Sequence, residues 1–213
     1  MRPGSSTTPA SAAPGSGPGV PCPSWRCCSR SCRPPSEEHP VNRDDLARAI
    51  YDVSHLTGTF TLRSGAVSDQ YFDKYRFESD PTLLRAIAEA MAAAVPTGTE
   101  LLAGLELGGV PLATMLSQVT GIPALFVRKE AKTYGTCQLA EGTEIAGRRL
   151  TVVEDVVTSG GQVVISCGDL RERGAIVEHA LCVIDRESGG PAALAEIGVE
   201  LRPLFTMTEL TPA

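Results

Sequence analysis

The stretch that most constrains this chain is Leu150 to Gln162, LTVVEDVVTSGGQ, where a β-branched apolar run meets two adjacent acids and then a loop of hydroxyls and glycines. Leu150 to Val153 reads as a strand buried on both faces of a parallel sheet, and helical spacing returns from Gly161. The acids and the loop therefore lie where a strand hands over to a helix. The first turn of a helix has unpaired N–H groups and the positive end of the helix dipole, which together bind anions such as phosphate. Thr158 and Ser159 add hydroxyl donors, and Gly160 and Gly161 let the backbone approach closely. Glu154 and Asp155 would repel a phosphate unless they faced another part of the ligand, and sugar hydroxyls are natural donors to them. These residues point to a sugar phosphate. The loop lacks the lysine of G-x-x-x-x-G-K-[ST] and is not a G-x-G-x-x-G, which sets aside triphosphate and dinucleotide loops. An ordinary β-turn after a strand is the competing reading.

Much of the chain repeats the same strand, loop and helix. Leu101 to Leu105 leads into a helix over Pro111 to Val119, and after Gly121 comes a strand at Ala124 to Val127. Gly161 to Arg173 is helical with Gly174 as its stop. Ala180 to Ile184 is another apolar strand and Val199 to Arg202 a final one. Strands alternating with helices predict an α/β fold, a parallel sheet flanked by helices, with ligands at the strands' carboxyl ends. The loops after Leu105, Val153 and Ile184 lie at such ends. Upstream, Asn42 caps a helix over Arg43 to Val53. Thr59 to Leu62 and Gln70 to Asp73 form a hairpin broken at Arg63-Ser64-Gly65, and Asp80-Pro81 starts a long helix.

Residues 1–40 are rich in Pro, Ser, Gly and Ala, with Trp25 as their large apolar side chain, so a disordered tail is expected there. The expected folded domain spans 41–213, with a small amino-terminal hood to about residue 80 and a core beyond it. The 42% hydrophobic content is enough for a full core, and no window approaches the ~18 apolar residues of a membrane span. A net charge of −6, with only four Lys or Arg in residues 1–40, disfavours a nucleic-acid surface. Cys22, Cys27, Cys28 and Cys32 lack a paired C-x-x-C knuckle, which argues against zinc; Cys137, Cys167 and Cys182 lie far apart and read as reduced thiols. With no apolar stretch typical of a secretory signal, a cytoplasmic enzyme is the expected class.

The run from Leu150 to Gln162 resembles the phosphoribosyl-diphosphate signature of the type I phosphoribosyltransferases. Three further stretches are similar to one branch of that superfamily, the orotate phosphoribosyltransferases. FTLRSGAVSDQYFDKY (Phe60 to Tyr75) resembles the family's hood, RKEAKTYGT (Arg128 to Thr136) its mobile loop, and Asp185-Arg186-Glu187 the segment carrying its orotate-binding arginine. Two departures stand out. Tyr134 sits where many members have histidine, and Glu106-Leu107-Gly108-Gly109-Val110-Pro111 has Gly108 where many have a lysine in the diphosphate loop.

The resemblance implies transfer of a ribosyl 5-phosphate from 5-phosphoribosyl 1-diphosphate to orotate, with Mg²⁺ held mainly through diphosphate and water and no direct protein metal site. It implies contacts to phosphoribosyl diphosphate from Arg63, Arg128, Lys129, Lys132, Tyr134, Glu154, Asp155, Val156, Val157, Thr158, Ser159, Gly160, Gly161 and Gln162, with Lys132 and Asp155 as the catalytic pair. Orotate would be met by Tyr71, Phe72, Thr158 and Arg186. A homodimer is implied, its lid reaching into the neighbouring site. A planar pyrimidine suits an aromatic wall, a guanidinium pairs bidentately with a carboxylate, and lid cations neutralise a leaving diphosphate. Asp155 is expected to face solvent and ligand. A purine phosphoribosyltransferase and a non-catalytic sensor of phosphoribosyl diphosphate are the alternatives; Arg186 and the hood argue against the first, and the acidic balance against a nucleic-acid-binding form of the second.

Overall fold

A computed structural model describes residues 42–61, 65–130 and 139–211, all within the unit His39–Ala213. The tail and its four cysteines, Arg63, Lys132, Tyr134 and Cys137 lie outside the described residues.

Helix α1 (Arg43–Ser54) opens the fold, with the Asn42 side chain accepting from Asp44 N–H, and it buries Leu46, Ala47 and Ile50. Strands β1 (His55–Thr61) and β2 (Val67–Phe72) form an antiparallel pair of their own, with an irregularity between Thr57 and Phe60. A short helix α2 (Tyr75–Ser79) and then α3 (Pro81–Ala92) follow. The start of α3 obeys its sequence signal: Asp80 accepts from Thr82 N–H at 2.9 Å and Leu83 N–H at 3.0 Å, with Pro81 in the first turn where no N–H is needed.

The main sheet is built from β3 (Leu101–Leu105), β4 (Ala124–Val127), β5 (Ala140–Glu141), β6 (Arg149–Val157), β7 (Ile176–Asp185) and β8 (Glu200–Thr206), in the order β5-β4-β3-β6-β7-β8. Its pairings are parallel except for the antiparallel two-residue β5. Helices α4 (Gly109–Thr120), α5 (Gly161–Glu172) and α6 (Gly190–Glu196) connect the strands, and α7 (Met207–Leu210) ends the described chain.

Both faces of the sheet are covered. Leu101, Ala103, Leu150, Val152, Ala180 and Cys182 pack with α5 and α6, whereas Leu102, Val153, Leu181 and Val183 pack with α1, α3 and α4. Alternation along each strand thus feeds two cores, which explains the near-continuous apolar runs. Full burial of Ile87 or Leu116 is worth ~1.5–3 kcal/mol each.

The expected break after Val153 is corrected. Strand β6 continues through Glu154 and Asp155 to Val157, still paired with β7 up to Val157↔Asp185. The acids are strand residues, and the loop is shortened to Thr158–Gly160.

Candidate active site

The carboxyl ends of β3, β4, β6 and β7 gather the residues singled out above. At the end of β6, Thr158 and Ser159 are exposed, and Gly160, with φ +77°, turns the chain into α5. That positive φ suits glycine, and a Cβ at Gly160 would press on Leu194 Cδ1 at 2.7 Å. No side chain caps α5, so its first N–H groups are left to a ligand or solvent. Gln162 lies exposed on the first turn, its Nε2 3.4 Å from Ser166 Oγ. The uncapped twelve-residue helix, two hydroxyls and the glycine turn make an anion cradle.

The end of β7 is tied to that cradle, because Arg186 N–H donates to Val157 C=O at 2.8 Å. The Arg186 side chain is exposed, and among the described residues it has no acid partner. Glu187 is committed elsewhere: it accepts from Thr208 N–H at 2.9 Å and Thr208 Oγ–H at 2.6 Å. Glu187 also holds φ 55°, a sparsely used conformation for a residue with a side chain. These features leave the guanidinium available to an anionic ligand beside the phosphate cradle.

The acids behave differently from expectation. Asp155 is fully buried, which corrects its placement facing solvent. Its Oδ2 lies 2.6 Å from Lys74 Nζ, and its Oδ1 accepts from Val156 N–H. Glu78, on α2, and Glu154 adjoin the same carboxylate. Burial, and then the neighbouring Asp155 charge, push the Glu78 carboxyl up to about 9 and the Glu154 carboxyl well above its usual range. Burial alone would raise Asp155 too, but hydrogen bonds from Glu154 and Glu78 and the Lys74 ammonium hold it below the ordinary value. In this cluster the Lys74 cation favours the charged form of Asp155, while burial favours the neutral forms of Glu78 and Glu154. Lys74 and Glu78 were missed in the sequence reading, although Lys74 lies inside the hood stretch that carries the resemblance.

At the end of β3, Glu106-Leu107 is a cis peptide and Gly108 precedes α4. A Cβ at Gly108 would overlap the Asp155 carboxylate, and one at Gly109 would overlap Val153 C=O. Arg128, just past β4, sits 3.4 Å from Glu141 through Nε, and Lys129 N–H donates to Glu106 Oε2 at 3.2 Å. A cavity of about 230 Å³ opens here, lined in part by Glu106, Leu107, Phe126 and Arg128. In the hairpin, Tyr71 is exposed and stacked on Phe60, ring centroids 5.4 Å apart, while Phe72 turns inward onto the core of α1 and α3. Neighbouring strand residues face opposite sides, so the two rings do not form one wall. Among the described residues no group of three or more His, Cys, Asp or Glu is placed to hold a metal ion.

No family profile matches the chain. A curated relative from Nocardioides sp., named orotate phosphoribosyltransferase, is 55% identical over 168 residues, covering 79% of this chain and 94% of that protein. Its namesake from Halobacterium salinarum is 44% identical over 171 residues, 80% of this chain and 97% of the relative. Among solved structures, Mycobacterium tuberculosis H37Rv orotate phosphoribosyltransferase in complex with Fe(III) dicitrate superposes with a TM-score of 0.73 at 31% identity, over 80% of this chain and 99% of the other. The same enzyme in complex with 5-phospho-α-D-ribosyl 1-diphosphate gives 0.68 at 28% identity, over 79% and 98%. An uncapped helix start beside an exposed arginine at the end of a parallel sheet, and relatives matched along nearly their whole length, lead to one conclusion: the chain belongs to the orotate phosphoribosyltransferase family.

Proposed function

We propose that this chain transfers the ribosyl 5-phosphate group from 5-phosphoribosyl 1-diphosphate to orotate, giving orotidine 5′-monophosphate and diphosphate in UMP biosynthesis. The observation that carries the proposal is the pairing of two anion sites at the carboxyl ends of the adjacent strands β6 and β7. The Thr158–Gln162 cradle takes the 5′-phosphate, and the exposed Arg186, joined to it through Val157 C=O, takes the orotate carboxylate. In the reaction the bond from the anomeric carbon to the diphosphate oxygen breaks, its electron pair leaving with diphosphate. A ring nitrogen of orotate then forms the new bond to that carbon and gives up its proton, which passes to the departing diphosphate or to solvent. Positive character at the anomeric carbon and negative charge on the leaving group are met by fixed charges, with no covalent nucleophile.

Arg128, which lines the 230 Å³ cavity beside the β3–α4 turn, is assigned to diphosphate, together with Lys129, Arg63, Lys132 and Tyr134 by resemblance. Glu154 is assigned to the ribose, with Asp155 buried behind it, and Tyr71, stacked on Phe60, to the orotate ring. Mg²⁺ is proposed to arrive with the diphosphate, held through its oxygens and water, where it neutralises charge. That suits a cation which commonly binds through substrate phosphates. The proposal extends to a cytoplasmic homodimer in which Lys132 acts across the interface. No helix among the described residues is long and apolar enough to cross a membrane. A purine substrate is disfavoured because it has no carboxylate for Arg186. Loss of orotate absorbance on adding phosphoribosyl diphosphate and Mg²⁺ tests the proposal; turnover of adenine or guanine in place of orotate would overturn it.

A further inference from the structure

The assignments above leave one half-buried cation unused. Lys74 follows β2, at the point where the hairpin returns to α2, and its side chain is 32% exposed. Its Nζ lies 2.6 Å from Asp155 Oδ2, and a side chain at position 108 would begin on that same oxygen. Position 108 is in the turn between β3 and α4, the loop in which many family members place a lysine for diphosphate. In this chain that position is closed to any side chain, and a lysine from a different element stands beside it.

We infer that Lys74 supplies the diphosphate-facing cation that Gly108 cannot, with Asp155 as the post that holds its ammonium in place. The inference rests on the proposed function. An ammonium has three donors, and its ion pair with one Asp155 oxygen does not occupy them all. The exposed part of the side chain leaves the others room to meet a ligand at the β3–α4 turn. A buried anchor also limits the rotamer freedom that a free lysine would lose on meeting the leaving group. Burial opposes the charge on Lys74, but the Asp155 carboxylate outweighs it and raises its pKa, so the cation persists through the neutral range. A purely structural role, in which Lys74 only neutralises Asp155, is the rival.

Titration calorimetry with magnesium diphosphate, which has no ribose, separates the two on the full-length protein. Lys74→Met should weaken diphosphate binding at least about tenfold and raise the KM for phosphoribosyl diphosphate far more than that for orotate. Because Lys74→Met leaves a buried carboxylate unpaired and risks misfolding, the decisive comparison is Asp155→Asn against Lys74→Met/Asp155→Asn. The amide oxygen that replaces the carboxylate still accepts from the ammonium, so a weakening of at least about threefold should persist between these two. Equal diphosphate affinities in that pair, or wild-type affinity in folded Lys74→Met, would overturn the inference and leave Lys74 a structural counter-ion. Failure of the proposed function shows separately, as a wild-type protein that does not consume orotate.

Discussion

A carboxylate taken fully out of water must be paired, hydrogen-bonded or protonated, and the residues around Asp155 use all three routes. Asp155 keeps its charge through Lys74, while Glu78 gives its own up. The consequence for pH has a definite sign. Glu78 titrates at about 9 when folded against an ordinary 4.5, so between those values the folded protein holds a proton that the unfolded chain releases. Stability associated with this group is complete below the lower value and is lost as pH rises through the upper one. Glu78→Gln keeps a neutral donor in the same space and removes the titration. Its melting temperature should match wild type at pH 5 and exceed it by about 3 °C or more at pH 9. Parallel melting curves across that range would show that Glu78 is not held protonated. At the neighbouring loop, Arg186→Ala removes a charged pair worth ~1.5–3 kcal/mol and should raise the orotate KM about ten- to hundredfold. An unchanged orotate KM would refute the assignment of Arg186.

Elements differ in how openly their sequences declare them. Helices α1 and α3 were legible from Asn42, Asp80, Pro81 and their apolar stripes, and the structure adds one residue to the end of the first. Asp80→Ala takes two backbone partners from α3 and should cost ~1 kcal/mol, a fall of about 2–4 °C in melting temperature. Wild-type stability in that variant would mean that water replaces the cap without loss. The turn from β6 into α5 was legible because Gly160 and Gly161 stand between an apolar run and helical spacing. The last third of β6 was not, since Glu154 and Asp155 read as polar loop residues until a cation eighty residues away enters the account. Period and propensity are local, and the Lys74 pair that lets Asp155 stay in a strand is not. Likewise Tyr71-Phe72 read as one aromatic unit, whereas strand alternation sends Tyr71 outward and Phe72 into the core. Helices α2 and α7, of five and four residues, and the two-residue β5 are too short to carry a period.

For the whole molecule, the described residues of the two cores on either face of the sheet run from 46 to 210. Removing residues 1–40, a Pro, Ser, Gly and Ala segment with little to bury, should leave melting temperature and orotate turnover within error. Stoichiometric zinc released on denaturing the full-length protein but not the truncated one would instead make the four tail cysteines a site. The overlap between Gly108 and Asp155 also limits how this sequence can change. A lysine installed at position 108 alone would displace the Asp155 carboxylate from Lys74 and Val156, leaving two cations crowded at the turn and an acid with no partner. Changing Lys74 alone strands the same acid. The cation can therefore move from the hairpin to the loop only by simultaneous substitution, so two ways of meeting one diphosphate are separated by a valley that single mutations do not cross.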